Sequence, residues 1–148
     1  MMNPLILIVE DNDEDFVTYQ RALLYAGTKT KIERCKKGDE VLDYFYKRGR
    51  FVNQAPQLPA LILLDLNLPG LDGRQVLSLL KQDTKLKSLP VVVVTTSTNP
   101  QDIAVCYSAG ANSYLVKSFR FQQFREHIKL LIDYWFQAVT LPTQVEGS

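Results

Sequence analysis

Three stretches of this chain consist of Leu, Ile and Val alone over four residues or more: Leu5-Ile6-Leu7-Ile8-Val9, Leu61-Ile62-Leu63-Leu64 and Val91-Val92-Val93-Val94. A strand with one wet face alternates polar and apolar residues. These do not alternate, so each must be covered on both faces, as in a parallel sheet sandwiched between helices. The segments between the runs supply the covers. Asp13 to Ala26 carries Phe16, Tyr19, Ala22, Leu23 and Ala26 on one stripe and ends before Gly27. Further helices are predicted over 39–48, 72–82, 99–109 and 121–136. Two more strands are predicted over Lys31–Cys35, polar enough for a sheet edge, and Ser113–Val116. Five βα units in succession imply an α/β fold with a doubly wound, five-stranded parallel sheet. The expected single domain spans 1–142, with a core over 4–137, a short extension over 138–142 and a flexible tail over 143–148.

Composition removes several classes of function. Hydrophobic residues make up 46% and charged residues 22% of the chain, a globular balance that argues against disorder. A net charge of +1 gives no reason to expect nucleic acid as partner. No apolar run approaches the roughly 20 residues of a membrane span, and no export signal is recognisable. Cys35 and Cys106 lie far apart and outside any Cys-x-x-Cys spacing, so they read as reduced thiols. A cytoplasmic protein is expected.

The chemistry gathers where the strands end. Glu10 and Asp11 follow the first strand, Asp65 ends the third, Thr95 and Thr96 the fourth, and Lys117 the fifth. Parallel strands bring all of these to one edge of the sheet, where the binding crevice of such folds lies. Taken singly, each has an ordinary role: a turn aspartate, a β-branched strand threonine, a surface lysine. Asp13, Glu14 and Asp15 fit the favourable charge of a helix N-terminus. What counts is that four strand ends agree. Three carboxylates in one crevice repel one another unless a cation joins them. Mg²⁺ (or Mn²⁺) suits an all-oxygen set: Asp11 and Asp65 directly, Glu10 through water, and the backbone carbonyl of Asn67 as the chain turns. Without clustered His or Cys, zinc is not indicated. A carboxylate beside Mg²⁺ can attack phosphorus and become an aspartyl phosphate, whose new charge Lys117 and Thr95 would meet.

These residues resemble the receiver domains of two-component response regulators, the CheY-like family. "ILIVEDN" is similar to the first strand with its acidic pair, and "LILLDLNLPGLDG" to the phosphoacceptor segment, with Asp65 as acceptor. "LPVVVVTT" carries the switch hydroxyl Thr95, and "SYLVK" the aromatic switch residue Tyr114 and the family lysine Lys117. The resemblance implies a flavodoxin-like (βα)5 fold with strand order 2-1-3-4-5. It also implies a phosphoryl-accepting signalling protein, not an enzyme, served by a histidine kinase. In that family phosphate on Asp65 draws Thr95 inward, moves Tyr114 and alters the face built by the fourth helix, fifth strand and fifth helix. The stretches "RGRFVNQAP", "TTSTNPQDI" and "YWFQAVTLP" resemble single-domain regulators that partner phytochromes, the Rcp type. One departure is Ser118, where most receivers have a proline after the lysine, often in cis. Either this loop keeps a cis bond without proline, or Lys117 is placed by another backbone path.

The last helix is unusually apolar. Phe121, Phe124, Ile128, Leu131 and Trp135 share one helical stripe and are expected to face the sheet. Leu130, Tyr134, Phe136, Val139 and Leu141 fall elsewhere. A homodimer through Tyr114, Leu130, Tyr134, Trp135, Phe136, Val139 and Leu141 is the expected cover, a tail folded back on its own domain the other possibility. Two rival functions remain. A haloacid-dehalogenase-type phosphatase also uses a strand-tip Asp with Mg²⁺, but wants a second Asp where this chain has Asn67. A receiver that only binds, as a dimeric scaffold, would not need the full set of Glu10, Asp11, Asp65, Thr95 and Lys117.

Overall fold

The structure, a computed structural model, describes residues 4–27, 29–54 and 57–142. The expected flexible tail over 143–148 lies outside the described residues. Five strands and five helices alternate: β1 Leu5–Val9, α1 Asp13–Tyr25, β2 Lys31–Cys35, α2 Gly38–Tyr46, β3 Leu61–Leu64, α3 Gly73–Gln82, β4 Val91–Thr95, α4 Pro100–Ser108, β5 Ser113–Val116 and α5 Phe121–Asp133. All pairings are parallel, in the order β2-β1-β3-β4-β5, which places β2 and β5 at the edges.

The unbroken apolar runs find covers on both sides. Leu5, Leu7, Val9, Ile62, Leu64, Val91 and Val93 point to one core with Val41 of α2 and Val76, Leu77 and Leu80 of α3. Ile6, Ile8, Leu61, Leu63, Val92 and Val94 point to the other, against Tyr19, Ala22 and Leu23 of α1 and Phe124, Ile128 and Ile132 of α5. Successive side chains alternate between faces, so a strand with no wet face needs apolar residues at every position. The edges β2 and β5 are the less buried strands, as the polar spelling of β2 predicts. Among the described residues no helix is long and apolar enough to cross a membrane, and Cys35 and Cys106 are buried free thiols.

Most helix and strand ends match expectation within two residues, but the last helix differs. It is α-helical only to Asp133 and then widens into a π turn over Tyr134–Ala138, closed by the Val139 N–H donating to the Tyr134 carbonyl at 3.2 Å. The wider turn changes the angular step between side chains. Its buried stripe is Phe124, Ile128 and Ile132, spaced by four, with Leu131, Trp135 and Phe136 packed beside it. Phe121 does not face the sheet: it begins the helix and is 37% exposed. Leu141 is covered by its own chain, at 2% exposure, which takes it out of the surface offered to a second copy. Leu130 and Tyr134 stay exposed.

Candidate functional site

The register of the sheet assembles the site. Val9 pairs with Leu64, so the residues that follow them, Glu10 and Asp65, leave adjacent strands side by side. The Asp65 N–H donates to the Val9 carbonyl at 3.1 Å, and the Glu10 N–H to the Cys35 carbonyl at 2.9 Å. Both strand tips are therefore held to their neighbours through the backbone. Behind Asp65, α3 approaches so closely that a Cβ on Gly73 would lie 2.2 Å from the Asp65 carbonyl oxygen. Only glycine fits there without displacing the acceptor strand. Asp72 caps α3, its side chain accepting from the Arg74 N–H at 3.0 Å while its own N–H donates to Gln75 Oε1 at 3.0 Å, which fixes where that helix begins.

Glu10 is 1% and Asp65 7% exposed, while Asp11 is open to solvent. Ligand atoms from these three carboxylates lie within 4.8 Å of one another. Across them lies the Lys117 ammonium. Its Nζ donates to Glu10 Oε1 at 2.5 Å, Asp15 Oδ2 at 2.9 Å and Asp65 Oδ2 at 3.2 Å. The other Asp65 oxygen accepts from the Leu66 N–H at 2.7 Å. Lys117 is itself placed by its backbone N–H donating to the Thr95 carbonyl at 2.7 Å. No cis peptide occurs among the described residues, so the Lys117-Ser118 bond is trans and the second of the two backbone paths is the one taken. Thr95 is fully buried at the end of β4, and Thr96 is exposed.

Burial pushes the Glu10 carboxyl up to about 7, against the opposing pull of the Lys117 hydrogen bond and charge. Burial alone would lower the Lys117 ammonium; the bond to Glu10, the charges of Asp65 and Glu10, and the bond to Asp15 together hold it above its ordinary value. The raised Glu10 has a consequence for metal-free protein. Its folded-state affinity for a proton exceeds that of the unfolded chain, so this contribution to stability is complete below about pH 4.5 and is lost as pH rises through about 7. The carboxyls of Asp13, Asp83 and Asp102 are held below their ordinary values by their hydrogen-bond partners and act in the opposite sense, but at lower pH. Thermal unfolding in chelator should therefore show a midpoint that falls from pH 5 to pH 7, with the fall removed in Glu10→Gln. A midpoint that rises steadily across that window contradicts a raised Glu10.

The aromatic residue Tyr114 on β5 is half-buried, and its hydroxyl donates to the Ser97 carbonyl at 2.9 Å. Ser97 lies two residues after Thr95 and is tied onward. Its Oγ donates to Asp102 Oδ2 at 2.6 Å, and Arg74 of α3 donates to Asp102 Oδ1 from Nε at 3.0 Å and Nη2 at 2.8 Å. A polar chain thus runs from β5 through the β4–α4 loop to α3. The sequence reading missed this chain, because nothing in the spacing of Arg74, Ser97 and Asp102 announces that they meet. It also assigned Asp15 to helix-end charge alone. Asn12 performs the capping, accepting from the Asp15 N–H at 2.9 Å, and leaves the Asp15 carboxylate to Lys117. The spacing of four residues from Asp11 was the available hint that both could lie on one side of the helix start.

Beside the carboxylates opens a cavity of about 260 Å³, lined by Asp15, Thr18, Thr96, Lys117 and the aromatic rings of Phe119 and Phe121. Phe119 is 98% exposed at its rim. A larger cavity of about 420 Å³ lies by the N-terminal ends of β1 and β2, near Leu5, Lys31, Tyr44 and Phe51; it contains none of the site carboxylates.

Comparison with known proteins agrees with this fold. The response regulator receiver domain family matches residues 6–129. The response regulator Rcp1 of Synechocystis is 37% identical over 138 residues, covering 93% of this chain and 92% of that protein. The structure of the phosphorylated cyanobacterial phytochrome response regulator RcpA superimposes with a TM-score of 0.87 at 38% identity, over 95% of this chain and 99% of that one. The Mn²⁺-bound form of Rcp1 superimposes with a TM-score of 0.86 at 36% identity, over 94% and 99%.

Proposed function

Because the chain belongs to the response regulator receiver domain family of two-component signalling proteins, we propose that it accepts a phosphoryl group on Asp65 from a histidine kinase. The observation that carries this reading is the pairing of a buried strand-tip carboxylate with the Lys117 ammonium, inside a trio of carboxylates. The donor set is all oxygen and carries more negative charge than one ammonium offsets, which fits Mg²⁺ or Mn²⁺. Glu10, Asp11 and Asp65 would hold the ion, with the Asn67 carbonyl as a further oxygen. When bound it would supply charge neutralisation for an incoming phosphoryl group. An Asp65 oxygen attacks phosphorus, the P–N bond of the phosphohistidine breaks, and the imidazole nitrogen keeps the electron pair and is then protonated from solvent. The product is an acyl phosphate. Lys117 exchanges its Asp65 contact for a phosphoryl oxygen, and Thr95 offers its hydroxyl.

Thr95 lies two residues before Ser97, and Ser97 holds the Tyr114 hydroxyl. A shift of Thr95 toward phosphate would act on that bond and on the tie through Asp102 to Arg74. The face of α4, β5 and α5 would then be the output. α4 suits that role, since Cys106 is its one buried residue. The likeness to the cyanobacterial phytochrome response regulator RcpA supports a phytochrome-type kinase as the donor, and hence a cytoplasmic site of action. Incubation with acetyl phosphate and Mg²⁺, read by intact mass, tests the phosphoryl acceptance.

A homodimer is the second part of the proposal. Leu130 on α5 is 66% exposed and Tyr134, in the π turn that follows, 54%; Trp135, Phe136 and Val139, close to them in sequence, and Tyr114 on the edge strand β5 are partly buried. A stable interface here would bury roughly 1,600 Å² in total. Replacing both Leu130 and Tyr134 by glutamate should raise the dimer dissociation constant by about a hundredfold or more, measured by sedimentation equilibrium. An unchanged association constant places the contact elsewhere.

A further inference from the structure

An ammonium has three protons to donate, and those of Lys117 each have a carboxylate partner. Two of the partners, Glu10 and Asp65, belong to the trio that would hold a divalent cation. A cation entering there competes with the ammonium for the same oxygens. The third partner does not belong to the trio. Asp15 sits in the first turn of α1, with its side chain 46% exposed, and accepts from Nζ at 2.9 Å. Its carboxylate is not needed to cap the helix, because Asn12 does that through the Asp15 backbone N–H. It lines the cavity beside the carboxylates together with Lys117 and Thr96.

Resting on the reading of the trio as a Mg²⁺ site, we infer that Asp15 is a positioning residue, drawing the Lys117 ammonium toward α1 so that Glu10 and Asp65 remain available to the cation. Without it, two effects weaken metal binding together. The site loses one negative charge, and the ammonium settles more firmly on Glu10 and Asp65. The same anchor holds Lys117 at the mouth, within reach of a group arriving on Asp65, when the cation has taken the oxygens it otherwise shares. The two effects are separable, because only the second acts through Lys117.

The test is a double-mutant cycle on Mg²⁺ affinity, measured by titration at pH 8 on the full chain. Asp15→Asn should weaken Mg²⁺ about tenfold, the scale on which partners outside the ligand set tune a metal site. In a Lys117→Met background only the charge effect remains, so the same change should cost about threefold at most, since an exposed carboxylate acts on the cation through a medium of high dielectric constant. The Lys117 ammonium signal in lysine-labelled, metal-free protein gives an independent reading that needs no second mutation; it should shift in Asp15→Asn. An equal loss in both backgrounds would show a through-space charge effect and overturn the inference. So would an undiminished affinity in Asp15→Asn, or an ammonium signal that does not move. Failure of the unmutated chain to bind Mg²⁺ is a different result: it removes the metal reading itself, and this inference with it.

Discussion

Asp65→Asn is expected to abolish phosphoryl gain from acetyl phosphate and Mg²⁺, lowering the rate by about a thousandfold or more. The amide is close in shape to the carboxylate but is not a nucleophile that can form an acyl phosphate. The fold should survive. The side-chain oxygen of asparagine can still accept from the Leu66 N–H, and Lys117 keeps its bonds to Glu10 and Asp15. Removing one of three clustered carboxylates also relieves repulsion, so the metal-free variant should be at least as stable as the parent at pH 8. Intact mass and thermal unfolding on the same samples decide the matter. A parent that gains one phosphoryl group only with Mg²⁺, beside an inert and well-folded variant, establishes Asp65 as acceptor. A variant that still gains the group moves the acceptor to another residue. A parent that never gains it removes the switch and leaves a binding scaffold.

Lys117→Met carries the largest expected cost to stability. Methionine can follow the path of the lysine stem, but the ammonium 2.5 Å from Glu10 and 3.2 Å from Asp65 is gone. Two nearly dry carboxylates would then face each other without a counter-ion. Breaking a buried pair from one side costs about 3–5 kcal/mol, which for a chain of this size lowers the melting midpoint by roughly 10–15 °C. The penalty should depend on conditions in a way that a packing defect does not. Glu10, already pushed up to about 7 with its lysine partner in place, will hold its proton more firmly still without it. At pH 5 that proton removes most of the charge, so the destabilisation should shrink to a fraction of its value at pH 8. Mg²⁺ should reverse it as well, by binding the folded state alone. Equal losses at pH 5 and pH 8, or a loss below about 1 kcal/mol at pH 8, would mean that the ammonium does not hold these carboxylates together.

The parts of the fold that could be read from the sequence share one cause. Leu5–Val9, Leu61–Leu64 and Val91–Val94 sit where both faces must be dry, and a chain cannot disguise that need. The strand-end residues Glu10, Asp11, Asp65, Thr95 and Lys117 were legible for a related reason: parallel strands carry their C-terminal ends to one edge whatever the details. The end of α5 was harder to read. The stripe drawn through Phe124, Ile128, Leu131 and Trp135 does meet the core, but an unbroken α step showed neither the burial of Ile132 nor the π turn from Tyr134. Phe121 was placed on the sheet by the same periodicity, although at the first helical position it lies at the margin of the core. Leu141 falls beyond the last regular element, where spacing carries no information about burial.

By itself the sequence determined the sandwiched parallel sheet, the edge on which the chemistry collects, and the residue types gathered there. These follow from period and burial, which are one-dimensional properties of the chain. Only the tertiary structure decided which oxygens share the Lys117 ammonium. It also decided that Asp15 is one of the partners, that the Lys117-Ser118 bond is trans, and that Arg74, Asp102, Ser97 and Tyr114 form one chain of hydrogen bonds. Those outcomes depend on the direction of long side chains from several helices, strands and strand-end loops, and pairings between residues as far apart as Asp15 and Lys117 leave no period in the sequence to read.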